Sequence, residues 1–267
     1  MKNIAVIGYG ALGKILNRAL VEKLGSSYNL KGIYDSALAE KSVMVAGKSI
    51  PLYPSFDALL EDDTDIVVEI AGVGAVKEYI TPLLDAGKDV VITSVGALAD
   101  EALYEHIKKT AATAGCKVHI TSGAIGGFDI MRTLFLMGDT TSEIQSTKAP
   151  KSLNGAPYLK GKPLPEHEKC TAFEGNAREA IAGFPKNTNV SVATGIVTNG
   201  AERTGVRLIS DPESRGNTHR VTVENEKAKA VVEITSKPDP SNPKSSITAA
   251  WSVVALLENL ASPIQFF

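Results

Sequence analysis

The 267-residue chain is poor in several things that would fix its class. It has two cysteines, one tryptophan, four histidines and a formal charge of only −2. Cys116 and Cys170 show no C-x-x-C spacing and no companion histidine cluster, so neither a disulfide framework nor a zinc site is expected, and a reducing, cytoplasmic setting fits. The near-neutral balance, with a pI near 6.1, gives no bulk attraction to nucleic acid or to an anionic membrane. No stretch approaches the roughly 20 apolar residues of a membrane span. The opening "MKNIAVIGYGALG" lacks the longer apolar run and cleavage site of a secretion signal. Internal repeats, low-complexity tracts and long charge runs are also missing. What remains is a soluble chain, 43% hydrophobic, of one large domain or two modest ones, with small molecules as its expected partners.

The first half has the rhythm of a nucleotide fold. "NIAVIGYGALGKILNRALVEKL" passes from an apolar run through a glycine turn into Leu12, Ile15, Leu16, Ala19 and Leu20 at helical spacing. Gly8, Gly10 and Gly13 form G-x-G-x-x-G. The first permits a tight turn, the second lets backbone approach a pyrophosphate, and the third allows close helix packing. With Ala11 and Leu12 at the helix start, where N–H groups face phosphates, these five residues form the expected cofactor loop. The next strand-like run, "LKGIYD", ends in Asp35, placed to accept hydrogen bonds from ribose hydroxyls and to repel a 2′-phosphate. NAD or NADP is the expected cofactor, with NAD favoured; Ser36 leaves dual use open.

Strands "DIVVEIAG", "DVVITSVGAL" and "KVHITSGAIGG" then alternate with helical segments, the pattern of a parallel sheet covered on both faces. Ligands bind at the carboxyl ends of such strands, which puts Ala71, Gly72, Ser94, Val95, Ser122, Gly123 and Ala124 there. After "GGFDIMRTLFLMG" the rhythm changes. "SEIQSTKAP" reads as a strand, "NAREAIAGF" and "TNVSVATGIVTNG" as helices, the latter entered through Asn187, Thr188 or Asn189. "GVRLISD", "HRVTVEN" and "KAVVEITSK" read as strands, the last two forming a hairpin. Beyond "KPDPSNPKSS", the apolar pattern of "ITAAWSVVALLENLA" predicts a helix that must dock. The expected fold is α/β: a Rossmann-type parallel sheet over 1–125, an α+β domain for substrate and dimerisation over 126–242, and a C-terminal segment, 243–267, whose helix returns to the first domain.

The set "GYGALG", "VVEIAG", "TSVGAL", "SGAIGG", "FEGNAREAIAGFPKNTNV", "VRLISDPESRGNTHRVTVEN" and "SNPKSSITAAWSVVALLENL" resembles the L-aspartate dehydrogenase family over almost the full chain. The resemblance implies NAD(P)-dependent oxidation of L-aspartate to iminoaspartate. Water then gives oxaloacetate and ammonia, unless a quinolinate-forming enzyme takes the imine for NAD synthesis. It also implies that His219 is the active-site residue and that Ala124 and Asn189 contact the nicotinamide half of the cofactor. "STKAP" departs from the Arg-Lys pair expected before this proline and keeps only Lys148.

Hydride loss from the aspartate α-carbon needs an unprotonated amine, hence a base with a pKa near the working pH, a task that suits the imidazole of His219. The same ring could activate the water that attacks the imine. Two substrate carboxylates call for cations or clustered donors. Candidates are Lys148, Asn187, Asn217, Lys244 and Ser245, together with Arg215 and Arg220. Strand alternation turns Arg220 away from the His219 side. His106 reads as a surface residue, His119 as a core one and His167 as a loop residue. Competing readings are an aldehyde dehydrogenase using Cys170, a reductase resembling dihydrodipicolinate reductase, and a non-catalytic NAD-binding sensor. A homodimer formed through a hydrophobic sheet of the second domain is expected.

Overall fold

The computed structural model describes residues 1–237 and 246–266. The chain divides into two compact units, Met1–Thr121 with Ala249–Phe267, and Ser122–Thr248. The first unit runs β1 (Lys2–Ile7), α1 (Ala11–Glu22), β2 (Tyr28–Tyr34), β3 (Ser42–Val45), β4 (Lys48–Pro51), α2 (Phe56–Glu61), β5 (Ile66–Glu69), α3 (Val73–Asp85), β6 (Asp89–Ile92), α4 (Glu101–Ala114) and β7 (Val118–Ile120). Its main sheet has the order β2-β1-β5-β6-β7, parallel throughout. Ile4, Val6, Val67, Val68, Val90 and Val91 are fully buried, which is why these strands carry near-continuous apolar runs rather than alternation. The β3–β4 hairpin was not legible in the sequence. Its two-residue turn puts Ala46 and Gly47 at φ of 49° and 80°, a position where asparagine or glycine is the usual signal and alanine hides it.

The second unit runs α5 (Phe128–Met137), β8 (Thr141–Lys148), α6 (Pro150–Leu153), β9 (Cys170–Asn176), α7 (Ala177–Gly183), α8 (Asn189–Val197), β10 (Thr204–Ser210), β11 (Asn217–Glu224) and β12 (Lys229–Ser236). Its sheet, β12-β11-β8-β10-β9, is mixed, with β10 parallel to β8 and the other neighbours antiparallel. One face carries Ile144, Val206, Leu208, Val221 and Val223 into a core with Met131, Leu134, Ala180 and Phe184 from the helices. The opposite face corrects the expectation of a hydrophobic interface there. Alternation sends the charged residues to it, in the pairs Arg207–Glu174 (3.2 Å), Arg220–Glu233 (2.9 Å) and Lys229–Glu224 (2.8 Å).

The last helix, α9 (Thr248–Ala261), belongs to the first unit's core. Val253, Val254 and Leu257 pack with Ile4, Val6, Leu16 and Leu20, and the Tyr28 hydroxyl donates to the Leu257 carbonyl at 2.8 Å. The apolar pattern of this helix is therefore satisfied by the parallel-sheet unit.

Candidate active site

In the first unit the strand order reverses beside β1, whose neighbours are β2 and β5. The carboxyl ends of these strands frame the crevice where open parallel sheets bind ligands. Gly8 sits there with φ of 107°, and a Cβ on it would lie 2.9 Å from the Ala71 backbone. A Cβ on Gly13 would strike the Gly8 carbonyl oxygen at 2.2 Å, whereas one on Gly10 would meet nothing within 4 Å. Turn, close approach and helix packing thus fall on the first, second and third glycines, as a dinucleotide loop requires. Gly10 is also the N-cap of α1 and supplies no capping side chain, so Ala11 and Leu12 open the helix with no such cap over their N–H groups.

A cleft of about 240 Å³ runs beside this loop, lined by Gly8, Tyr34, Asp35, Ser36, Ala71 and Tyr79 among others. Asp35 already accepts the Tyr9 N–H at 2.7 Å and the Ala37 N–H at 3.0 Å. A carboxylate has about four acceptor positions, so this one ties β2 to the glycine loop and keeps capacity for a ribose.

Sequence reading missed Glu69, the last residue of β5 and fully buried. Its Oε1 accepts the N–H groups of Ala71 and Gly72, each at 2.8 Å, and the Ser94 hydroxyl at 2.8 Å. Its Oε2 accepts the N–H groups of Ser94 at 2.9 Å and Thr93 at 3.3 Å. Burial pushes its pKa up, against the donors from Gly72, Ser94 and Ala71. One carboxylate therefore shapes both turns that carry Ala71, Gly72 and Ser94. An acidic residue closing the apolar run "IVVE" was the available signal, since a charge is buried only where donors converge.

In the second unit a polar corner interrupts the apolar sheet face. β8 runs antiparallel to β11 and parallel to β10, so the end of β8, the start of β11 and the end of β10 meet. His219 lies opposite Ser146, and Lys148 lies opposite Ser210. His219 is 2% exposed and its Nδ1 is 2.7 Å from Ser146 Oγ. Burial, with the Lys148 charge, pushes the imidazole pKa down to about 3. A pKa held this low keeps the ring in its neutral form near pH 7. Lys148 is 6% exposed, and burial pushes its pKa down to about 8. Among the described residues no carboxylate forms an ion pair with it. The hydroxyl of Ser210 is fully buried and has no hydrogen-bond partner among the described residues.

Asn217 precedes His219 on the same face and is buried. A Cβ on Gly123 would lie 3.8 Å from the Val190 side chain, so the loop bearing Gly123 and Ala124 runs by the start of α8, where Asn189 is the first residue. Thr188 is the N-cap, and its hydroxyl donates back to the Phe184 carbonyl rather than capping forward. Asn187 is partly committed, its amide donating to the Ser152 carbonyl at 3.0 Å. Arg220 is exposed and paired to Glu233, as alternation required, and Arg215 is exposed in the turn before β11. Lys244 and Ser245 lie outside the described residues. His106 and His167 are exposed, while His119 is half-buried rather than in the core, its pKa lowered chiefly by burial. Ser146 and Ser210 were missed, although a strand over "SEIQSTK" puts Ser146 on the Lys148 face by simple alternation.

Comparison with known proteins agrees with both halves. Residues 129–260 match the family described as aspartate dehydrogenase, C-terminal, and residues 8–121 match the homoserine dehydrogenase NAD binding domain. The chain is 35% identical to an L-aspartate dehydrogenase of Methanosarcina barkeri over 99% of each protein. It is 32% identical to the one of Methanocaldococcus jannaschii, again over 99% of each. Among solved structures, the aspartate dehydrogenase of Thermotoga maritima superposes with a TM-score of 0.78 at 27% identity, covering all of both chains. A hyperthermophilic archaeal homoserine dehydrogenase in complex with NADPH, at 13% identity and a TM-score of 0.56, shares the fold alone. With a glycine loop built for a dinucleotide, a buried histidine–lysine corner and likeness along the whole chain, the protein belongs to the L-aspartate dehydrogenase family.

Proposed function

We propose that the protein oxidises L-aspartate to iminoaspartate with NAD(P), with His219 as the proton acceptor. The observation that carries this reading is the pairing of a buried neutral imidazole with a buried Lys148 that meets no carboxylate among the described residues, in one corner. A cation without an anion in a dry site is costly, and a dicarboxylate substrate supplies the missing charge. Lys148, with the buried hydroxyl of Ser210 opposite it, takes a carboxylate; Asn217 and Asn187 are further donors. Binding changes the base as well. Pairing the Lys148 charge removes the repulsion on His219 and brings negative charge near it, so the substrate itself raises the basicity of the imidazole.

His219 then takes a proton from the substrate ammonium, and the nitrogen lone pair closes the C=N bond as the α C–H leaves with its electron pair. A bound nicotinamide supplies the acceptor for that hydride. In the second stage the imidazole, returned to its neutral form, takes a proton from the water that adds to the imine, and loss of ammonia leaves oxaloacetate. Gly8, Gly10, Ala11, Leu12, Gly13, Asp35, Ala71, Gly72 and Ser94 hold the cofactor from the first unit. Ala124 and Asn189 hold its nicotinamide half. Asp35 favours NAD over NADP. We further read the protein as a cytoplasmic homodimer whose imine is available to a quinolinate-forming enzyme.

The test is formation of reduced nicotinamide from L-aspartate with NAD and with NADP, in wild type and in His219→Ala. Loss of general acid–base catalysis lowers kcat by about 100- to 10,000-fold. Wild type inactive with both cofactors, or a variant at full rate, overturns the reading.

A further inference from the structure

A histidine can act as a base only through the ring nitrogen that carries no proton, so the partner of the other nitrogen decides whether the ring works. His219 stands opposite Ser146 on β8 and opposite Ile234 on β12, with Val221 two residues along its own strand. Ile234 and Val221 offer no polar atom. Directly opposed residues of antiparallel strands have Cβ atoms about 4.5–5.5 Å apart. A serine oxygen one bond from its Cβ and an Nδ1 two bonds from its own then meet at hydrogen-bond distance, and here they are 2.7 Å apart.

We propose that Ser146 is a positioning residue that sets the tautomer of His219, its Oγ accepting the Nδ1–H so that Nε2 is left unprotonated for the substrate. This rests on the reading of His219 as the proton acceptor. An isolated neutral imidazole prefers its proton on Nε2, the wrong nitrogen for that task. An acceptor built at Nδ1 reverses the preference, and a hydroxyl does so without adding charge. A carboxylate at the same place would pair with Lys148 and compete with the substrate for it, whereas serine leaves the cation unclaimed. The buried backbone of two central strands fixes both side chains, so the tautomer is set before substrate arrives.

The proposal is tested by long-range ¹H–¹⁵N spectra of protein labelled at histidine, with His219 assigned by its disappearance in His219→Gln. Wild type is expected to show a protonated Nδ1 and a bare Nε2. Ser146→Ala is expected to move the proton toward Nε2 and to lower kcat by roughly 10- to 100-fold, part of the full acid–base contribution, with the cofactor KM unchanged. Ser146→Thr, which keeps the hydroxyl, is expected to restore both. A wild-type ring protonated on Nε2 overturns the proposal with no variant needed, and so does a Ser146→Ala protein that keeps both the wild-type tautomer and rate. If His219→Ala loses activity in that second case, the base reading stands and only the role of Ser146 fails. If His219→Ala keeps its rate, the base reading itself has failed.

Discussion

In the proposed site, binding and stability oppose each other at Lys148. Its pKa falls from 10.5 in the unfolded chain to about 8 in the fold, so between these values the unfolded chain holds the extra proton. The associated stability is complete above pH 10.5, declines as pH falls toward 8, and is gone at neutral pH, where the buried charge costs about 3 kcal/mol. Lys148→Met keeps the length of the stem and removes the charge. Thermal melts are expected to show the variant more stable than wild type by several degrees at pH 7 and equal to it near pH 10.5. Aspartate KM is expected to rise roughly 100-fold or more in the same protein, the usual loss when one partner of a buried charge pair is removed. A variant that gains no stability at pH 7 would mean that the ammonium is already paired or hydrated in the fold.

At the scale of the element, the glycine loop separates two demands that the motif merges. Gly13→Ala drives a methyl group into the Gly8 carbonyl and is expected to destabilise the first unit by about 1–3 kcal/mol or more, seen as a lowered Tm. Gly10→Ala places the methyl in open space and is expected to leave Tm within a degree or two, yet to weaken cofactor binding by roughly tenfold or more in a fluorescence titration. The loop was legible in the sequence because only glycine meets its steric conditions, and β11 because "HRVTVEN" alternates cleanly. β9 was not legible, since "CTAFEGN" includes glycine and small residues and becomes a strand by pairing with β10, an edge no local pattern announces. α5 was not legible either: "FDIMRTLFLM" keeps Ile130, Leu136 and Met137 exposed beside the buried Met131 and Leu134, so its apolar letters do not mark a single buried face. The corner around His219 was half legible. His219 came from motif likeness and Lys148 from the need for cations to hold two carboxylates, whereas Ser146 and Ser210 needed the register between strands, information that a single chain of letters holds only after the sheet is drawn.

The whole molecule is organised by the return of α9. Leu257 is fully buried in the first unit although it lies beyond the entire second one, and Leu257→Ala is expected to cost about 2–5 kcal/mol, with the loss read in cofactor-dependent melting. A variant that unfolds as wild type does would show that the helix is only an external strap. The second unit is continuous in sequence, Ser122–Thr248, while the first is interrupted by it. On a ribosome, the second unit is therefore complete in the growing chain before the first can close. The nucleotide-binding half must wait, with the β1–α1 surface unsealed, for the segment that carries Val253, Val254 and Leu257 to emerge. Synthesis order thus makes the dinucleotide site mature after the second unit has emerged, and ties cofactor capture to the arrival of α9.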